Sequence, residues 1–190
     1  MDRVFVEDKE FEKVDFTKSA LPKGEYECCV FTSCDFSETN LSGFGFTDCE
    51  FMGCNLSMGS LAETTLNGVR FRNCKMLGLR FDYCNEFLFD VSFSSCILNF
   101  SSFYKRKMRK TSFHGCTMQE VDFTQTDLSG AQLGECNLSG AVFYATNLEN
   151  ADFRTALNYS LDPEVNRMKK AKFSLDGVAG LLTKYGIEVE

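Results

Sequence analysis

The sequence predicts an all-β solenoid, a chain wound into a narrow four-sided tube whose coils stack on one another. A large apolar residue recurs at every fifth position from Phe11 to Phe153, with one two-residue slip between Phe81 and Leu88. A period of five fits neither an α-helix, which repeats every 3.6 residues, nor a strand, which repeats every two. The position two residues before each large one is mostly small, and similar residues recur twenty positions apart. These regularities together indicate a repeat architecture.

The large apolar positions, which we call anchors, form two runs separated by the slip. The first run consists of Phe11, Phe16, Leu21, Tyr26, Phe31, Phe36, Leu41, Phe46, Phe51, Leu56, Leu61, Leu66, Phe71, Met76 and Phe81. The second run consists of Leu88, Phe93, Leu98, Phe103, Met108, Phe113, Met118, Phe123, Leu128, Leu133, Leu138, Phe143, Leu148 and Phe153. We therefore expect an N-terminal cap at 1–10, a solenoid at 11–157 with an irregular corner at 82–88, and a C-terminal segment at 158–190.

Most of the cysteines occupy the small position two residues before an anchor. These are Cys29, Cys34, Cys49, Cys54, Cys74, Cys96, Cys116 and Cys136. Alternating large and small inward residues fill a narrow tube without voids, so we expect reduced cysteines that serve packing. Cys84 falls in the irregular corner, and only Cys28 is out of place. Spacing of the Cys-x-x-Cys kind is absent, so no metal site and no cofactor are predicted.

A second period of twenty residues sets the number of units in each coil. Phe31, Phe51 and Phe71 are twenty apart, and Phe93 and Phe113 continue the row after the slip. Four five-residue units per coil give a four-sided solenoid, whose hand the spacing leaves open. At a strand spacing of about 4.8 Å, seven coils form a rod about 34 Å long.

Several segments resemble the repeat of a known family. Ala131-Gln132-Leu133-Gly134-Glu135, Cys136-Asn137-Leu138-Ser139-Gly140 and Ala151-Asp152-Phe153-Arg154-Thr155 are similar to the units of the pentapeptide-repeat family, roughly A-(D/N)-L-x-x. The resemblance covers residues 11–157 and implies a right-handed quadrilateral β-helix. The sequence departs from the five-residue repeat at 82–87, where two extra residues must form a bulge or small loop at one corner.

Composition and motifs argue against catalysis and membrane insertion. The formal net charge is −7, which disfavours direct binding of nucleic acid. No apolar run is long enough to span a membrane, and the charged start at 1–12 is unlike a signal sequence, so we expect a cytoplasmic protein. The single histidine, His114, follows an anchor and should face solvent. Neither a nucleophile in an electropositive setting nor a glycine-rich phosphate loop is present, so no catalytic residue is predicted.

Acidic residues are concentrated in the first half of the chain. Between Gly24 and Val69 there is no Lys or Arg. The acids of this stretch, which we predict as a partner-binding surface, are Glu25, Glu27, Asp35, Glu38, Asp48, Glu50 and Glu63. Acidity favours a basic protein surface as partner, while simple solubility is the alternative interpretation.

A basic cluster at 105–110 interrupts this acidic character. It can contact phosphate or an acidic partner, or it can be a solvated edge. Arg106 occupies an inward small position there. We expect it to form an ion pair with Glu86, one coil away, since a buried charge needs a partner.

The five-residue register fades after Phe153, and helix signals follow. Asp162-Pro163-Glu164 resembles a helix start. The helix or turn that it begins is short and ends near Met168, and a second start appears at Ser174. The second helix carries one apolar stripe, consisting of Leu175, Val178, Leu181, Leu182 and Tyr185. Gly186 is a helix stop, and 187–190 can form a short strand. A short helical cap is therefore predicted. The family resemblance adds homodimerisation through this stripe, and capping alone is the alternative.

The resemblance also implies a function. Quinolone-resistance members of the pentapeptide-repeat family in bacteria imitate duplex DNA and bind DNA gyrase or topoisomerase IV. About 34 Å of duplex carries about 20 phosphate charges, against a net charge of −7 here, so the match in charge is partial. Gram-negative members carry longer loops than the two-residue slip of this chain. The alternative is an interaction scaffold with an unrelated partner.

Overall fold

The computed structural model describes residues 3–187 and shows a parallel β-solenoid of about 7 turns. The predicted fold class is confirmed. Eleven strands are present in this part of the chain. Their bounds are β1 Val4–Glu7, β2 Glu10–Glu12, β3 Gly24–Glu27, β4 Val30–Thr32, β5 Gly45–Thr47, β6 Glu50–Met52, β7 Thr65–Asn67, β8 Val69–Arg72, β9 Val91–Ser94, β10 Ser112–His114 and β11 Gln132–Gly134.

The coils stack in the register that the twenty-residue period predicts. Phe11 pairs with Phe31, and Phe31 with Phe51, in parallel strands. Across the slip, Phe71 pairs with Phe93, so the offset there grows to twenty-two. The aromatic rings of these pairs stack face to face at centroid distances of 4.8, 4.7 and 5.4 Å, respectively. Stacking of like side chains therefore forms the continuous core.

Each coil has four faces. Face 1 carries the sheet β1-β3-β5-β7, and face 2 carries the seven-stranded sheet β11-β10-β9-β8-β6-β4-β2. Face 3 is a ladder of single bridges from Asp15 to Leu157, and face 4 is a similar ladder from Asn40 to Val142. Between faces the backbone turns through residues with positive φ, such as Cys28 at 51° and Asp48 at 51°.

The solenoid extends beyond the predicted limits at both ends. Val4 already pairs with Gly24, so the expected cap at 1–10 belongs to the first coil at least from Val4 onward. At the other end Asp152 forms a parallel bridge with Lys172, past the expected boundary at 157. Phe173 stacks on Phe153 with centroids 5.3 Å apart and closes the aromatic column.

The C-terminal cap is helical, but its helices differ from the prediction. The short helix or turn expected after Asp162 is a turn, in which the Asp162 carboxylate accepts a hydrogen bond from the amide of Glu164 at 2.9 Å. Two 3₁₀ helices follow, at Asp176–Leu181 and Thr183–Tyr185. The predicted strand at 187–190 falls largely outside the described residues.

The two-residue insertion lies on face 1, where it ends the first sheet. Leu88, predicted as an anchor, is 54% exposed. Phe89 packs against the core in its place, edge to face with Phe81 at 6.5 Å. Pairing on this face resumes only with the bridge between Lys107 and Asp127. The prediction of Leu88 as an inward residue was therefore wrong by one position.

The predicted ion pair between Arg106 and Glu86 is also wrong. Arg106 is buried, as expected, at 5% exposure. Its guanidinium donates hydrogen bonds to the backbone carbonyls of Asp82 and Cys84 and lies 5.2 Å from the ring centroid of Phe89. Glu86 instead pairs with a neighbouring side chain, the ammonium of the lysine at 107. Carbonyl oxygens exposed by the insertion thus take the place of the expected carboxylate.

Arg106 belongs to a column of inward polar residues that bind the coil below. Thr126 donates a hydrogen bond to the carbonyl of Phe103 at 2.8 Å, and Thr146 does the same to Phe123 at 2.8 Å. The polar atoms of this column are thereby satisfied inside the tube, which burial requires.

Candidate partner-binding surface

The seven predicted acids are spread around the solenoid, on three faces and at three corners. Glu25 and Glu27 are on β3 of face 1, and Asp48 is at the corner that follows β5. Glu50 begins β6 on face 2, and Asp35 lies on the bridge ladder of face 3. Glu38 and Glu63 occupy left-handed corners, each with φ of 57°. The structure does not gather the seven into one patch.

Two of the seven carboxylates are paired with arginines. Glu25 accepts from Arg3 at 3.0 Å, and Glu50 lies 2.8 Å from the guanidinium of Arg72. Arg3 precedes the acidic stretch and Arg72 follows it in sequence, but coil stacking brings each beside an acid of a neighbouring coil. These pairs reduce the local negative charge at Glu25 and Glu50.

Two other predicted acids join two unpredicted ones along one edge of the rod. Glu7 pairs in register with Glu27 on the next coil. Asp8, Cys28 and Asp48 occupy successive left-handed corners between faces 1 and 2. We call Glu7, Asp8, Glu27 and Asp48 the acidic edge. No ion pair engages any of these four carboxylates within residues 3–187.

The thiol of Cys28 lies within the field of the acidic edge. Cys28 is exposed, unlike the other nine cysteines. Desolvation raises the pKa of this thiol, and the carboxylates of Asp8, Glu27, Asp48 and Glu7 raise it further because they disfavour a second negative charge. The four carboxylates of the acidic edge therefore lie around one point of the surface.

Sequence reasoning missed half of the acidic edge. Glu7 and Asp8 were assigned to an N-terminal cap, so their stacking on the second coil was not considered. The signal was present, because Glu7 precedes Glu27 by twenty residues and Asp8 precedes Cys28 by the same spacing. Applying the period to the outward positions as well as to the anchors would have found them.

The other predicted acids have separate surroundings. Asp35 accepts a hydrogen bond from the amide of Ser37 at 2.9 Å and forms a bridge with Asp15 on the coil below. Glu38 borders a cleft between the first two coils. Glu63 is held by its backbone amide, which donates to the carbonyl of Tyr83 at 2.8 Å.

The basic cluster at 105–110 is partly neutralised. Lys107 lies 2.7 Å from the carboxylate of Glu86, and Arg109 lies 2.6 Å from that of Asp127. Arg106 is buried within the coil. These contacts favour the interpretation of the cluster as a solvated edge rather than an anion-binding surface.

The predicted dimer stripe is divided between solvent and core. Leu175 is 90% exposed, and Val178 and Tyr185 are also exposed. Leu181 packs against the core, and Leu182 is half-buried. Three of the five residues are thus available for contact with a second copy.

Within residues 3–187, no group of three or more His, Cys, Asp or Glu side chains is arranged to hold a metal ion. His114 is exposed on β10, as its position after an anchor predicted. The described part of the chain also contains no helix long and apolar enough to cross a membrane.

A family model for the pentapeptide repeat region matches residues 25–85 and 87–160. The chain belongs to the pentapeptide-repeat family. The two matched segments are separated at residue 86, inside the insertion that ends the first sheet of face 1. No curated protein matches the sequence significantly.

Solved pentapeptide-repeat structures share the fold. Two structures of trypsin-treated QnrB1, a plasmid-mediated fluoroquinolone resistance protein, match with TM-scores of 0.59 and 0.58. Each is 19% identical in sequence, and the match covers 99% of this chain and 98% of the other. HetL from the cyanobacterium Nostoc sp. strain PCC 7120, involved in regulation of heterocyst differentiation, matches with a TM-score of 0.46, 14% identity and coverage of 92% and 86%.

Proposed function

We propose that this pentapeptide-repeat protein is a non-enzymatic binder of type II topoisomerase, either DNA gyrase or topoisomerase IV, and that it occupies the place of duplex DNA. Binding of this kind would confer resistance to quinolones. The observation that carries the proposal is the acidic edge, a set of carboxylates that form no ion pair with any residue of the described part of the chain, on the surface of a rod. The fold shared with a fluoroquinolone resistance protein supports the same conclusion.

The acidic edge approaches the charge density of DNA more closely than the whole chain does. It carries four carboxylates on three successive coils, which span about 10 Å at a spacing of about 4.8 Å. The same length of duplex carries about six phosphate charges. The local density is therefore about two thirds of that of DNA, whereas the net charge of −7 is about one third of the duplex value over about 34 Å.

A surface that holds DNA presents lysines and arginines to the phosphates. The acidic edge can meet such a surface without the opposing bases that shield Glu25 and Glu50. Binding driven by these contacts should be rapid and should weaken as salt is added, because screening acts on exposed charges.

The test is a gyrase supercoiling assay with the purified protein, with and without ciprofloxacin. We expect inhibition of supercoiling and a reduced effect of the drug. Glu27→Gln together with Asp48→Asn should raise the concentration needed for half-inhibition about tenfold or more. Glu120→Gln together with Glu135→Gln, which removes the same charge from the second half of the chain, should have little effect.

If the protein neither inhibits supercoiling nor protects against the drug, the proposal is rejected. The remaining hypothesis is then an interaction scaffold with an unrelated partner. Equal effects of the two double variants would instead show that net charge, rather than the acidic edge, determines binding.

We also propose that the exposed residues of the predicted stripe, Leu175, Val178 and Tyr185, mediate a homodimer. Their exposure beside the last coil supports contact with a second copy. Light scattering should give twice the chain mass of 21.5 kDa, and Leu175→Asp should give the monomer. Val142→Asp, an exposed apolar position on face 4, is the matched control. A 21.5 kDa species for the unmodified protein would reject the dimer.

A further inference from the structure

We propose that a cleft between the first and second coils binds an extended peptide segment of a partner protein, with an apolar side chain inserted and a basic residue at the rim. The cleft is at the corner between faces 3 and 4 and has a volume of about 620 Å³. It lies apart from the acidic edge, which is between faces 1 and 2. Its apolar walls include Phe16, Leu21, Phe36, Leu41 and Phe44.

The cleft exists because the first coil leaves the stack at this corner. Asp15 still forms a parallel bridge with Asp35, but among the described residues the ladder of face 4 begins only with Asn40 and Ser60. The amides of residues 18 and 19 both donate to the carbonyl of Asp15 and form a local turn instead of reaching the second coil. Pro22, which follows, has no amide hydrogen to offer and restricts the residue before it to extended conformations.

Because the first coil leaves the stack here, one edge of the second coil lacks its backbone hydrogen-bond partner. On the third coil, the amide of Ser60 donates to the carbonyl of Thr39 at 2.9 Å. The equivalent amide, that of Asn40, has no acceptor among residues 3–187, and no amide of the first coil reaches the carbonyl of Asn40. An unpaired donor and acceptor on an extended segment form the pattern that a further strand would complete.

The surroundings of this edge define the chemistry of the occupant. The aromatic and leucine residues of the cleft belong to the core and are at most 6% exposed, and polar residues share the lining. An apolar side chain of the partner would therefore lose its water where it covers the apolar floor of the cleft. Glu38 borders the opening at a left-handed corner and has no ion pair within the described residues. A basic residue next to the apolar one therefore matches the rim. Backbone pairing provides affinity, and the cleft provides selection by side chain.

The probe is the peptide acetyl-Lys-Val-Leu-Val-Lys-amide, titrated into the full-length protein while backbone amides are followed by NMR. We expect the amide of Asn40 to shift and to become protected from hydrogen exchange, while the amide of Ser60, already bonded, changes little. The same peptide with an N-methyl group on its leucine keeps the side chains but loses a backbone donor. It should bind at least tenfold more weakly.

Two variants locate the site. Ala20→Phe places a bulky ring at the exposed wall of the cleft and should reduce peptide affinity at least tenfold, with an unchanged unfolding transition to show that the fold is intact. Glu38→Lys should weaken binding about threefold at low salt, the size typical of one exposed charge pair. Glu120→Lys is its matched control, because Glu120 occupies the same corner of a coil whose ladder is complete, and it should have no effect.

Equal affinity for the N-methylated peptide would overturn the proposal, because the cleft would then be only an apolar pocket. No shift of the Asn40 amide at millimolar peptide would overturn it as well. Equal loss of affinity in the two charge variants would show binding by net charge rather than at the cleft.

Discussion

Replacing Phe113 with alanine tests whether stacked aromatic rings provide the main stability of the rod. Phe113 is fully buried and stacks on Phe93 at 5.2 Å. It also contacts Phe103 and Phe123 edge to face, with both centroids 6.1 Å away. A buried Phe→Ala change costs about 3–5 kcal/mol, and each aromatic pair adds about 0.5–1.5 kcal/mol beyond area. We therefore expect the free energy of unfolding to fall by about 5 kcal/mol, the upper end of the range for a buried Phe→Ala change.

Urea unfolding followed by circular dichroism measures this loss. With a slope of about 2–3 kcal/mol per molar urea, the midpoint should fall by about 2 M. Phe11→Ala is the matched control, because Phe11 belongs to the same column but lies half-buried at its open end. Its removal should cost about 1–2 kcal/mol, half of what full burial provides. Equal losses for the two variants would refute the reasoning, because the cost would then not depend on enclosure between coils.

Two further predictions concern charge. Asp48→Asn should speed alkylation of Cys28 by iodoacetamide at neutral pH, because removing a carboxylate lowers the pKa of the thiol and raises its thiolate fraction; an unchanged rate would show that the acidic edge does not act on this thiol. Lys184 lies 2.7 Å from Asp162 and 2.6 Å from Glu164, and these contacts lower the pKa of both carboxyls below their ordinary values of 3.8 and 4.5. Their stabilising contribution is complete above those values and is lost as the pH falls through the lower folded-state values. The protection factors of amides in the C-terminal segment, which are relative to the intrinsic exchange rate at each pH, should therefore fall below about pH 4 and should not do so in Lys184→Met, which lacks the contact at any pH.

The stacked core could be predicted from the sequence because every coil needs large and small side chains at the same inward positions. The anchors and the inward cysteines obey one period, and that period alone fixes which residues are neighbours. Cys34 and Cys54 illustrate this, since the amide of the first lies 3.4 Å from the sulfur of the second.

The insertion could not be predicted in detail, because two adjacent apolar residues compete for one inward position. Leu88 and Phe89 are one position apart. The sequence does not show how many residues loop out before the five-residue register resumes. Arg106 depends on the same detail. The hydrogen-bond acceptors of its guanidinium are backbone carbonyls that only this loop exposes. The amino-acid sequence does not show where backbone carbonyls point.

The form of the C-terminal helices was ambiguous for a different reason. A single spacing of three residues, such as that from Leu175 to Val178, places both side chains near one face at a period of 3.0 or of 3.6, so it does not separate the two helix types. Gly177 and Gly180 decide the outcome, because a Cβ at either position would lie within 2.4 Å of an atom of Tyr159. Close approach of this segment to the last coil therefore requires both glycines, which also weaken an α-helix.

The insertion also divides face 1 by charge, and this division constrains the proposed function. Before it lies the acidic edge, and after it come Lys107, Arg109 and Lys110. A dimer joined through the exposed residues near Leu175 would place the two acidic edges at the outer ends of a double rod, with the basic segments between them. Such a dimer doubles the negative charge without forming a continuous acidic track. A topoisomerase that binds this protein should therefore contact one end of the rod. The monomeric Leu175→Asp variant should retain most of the affinity for a single binding surface. It should lose any gain in affinity that comes from simultaneous contact at both ends of the dimer.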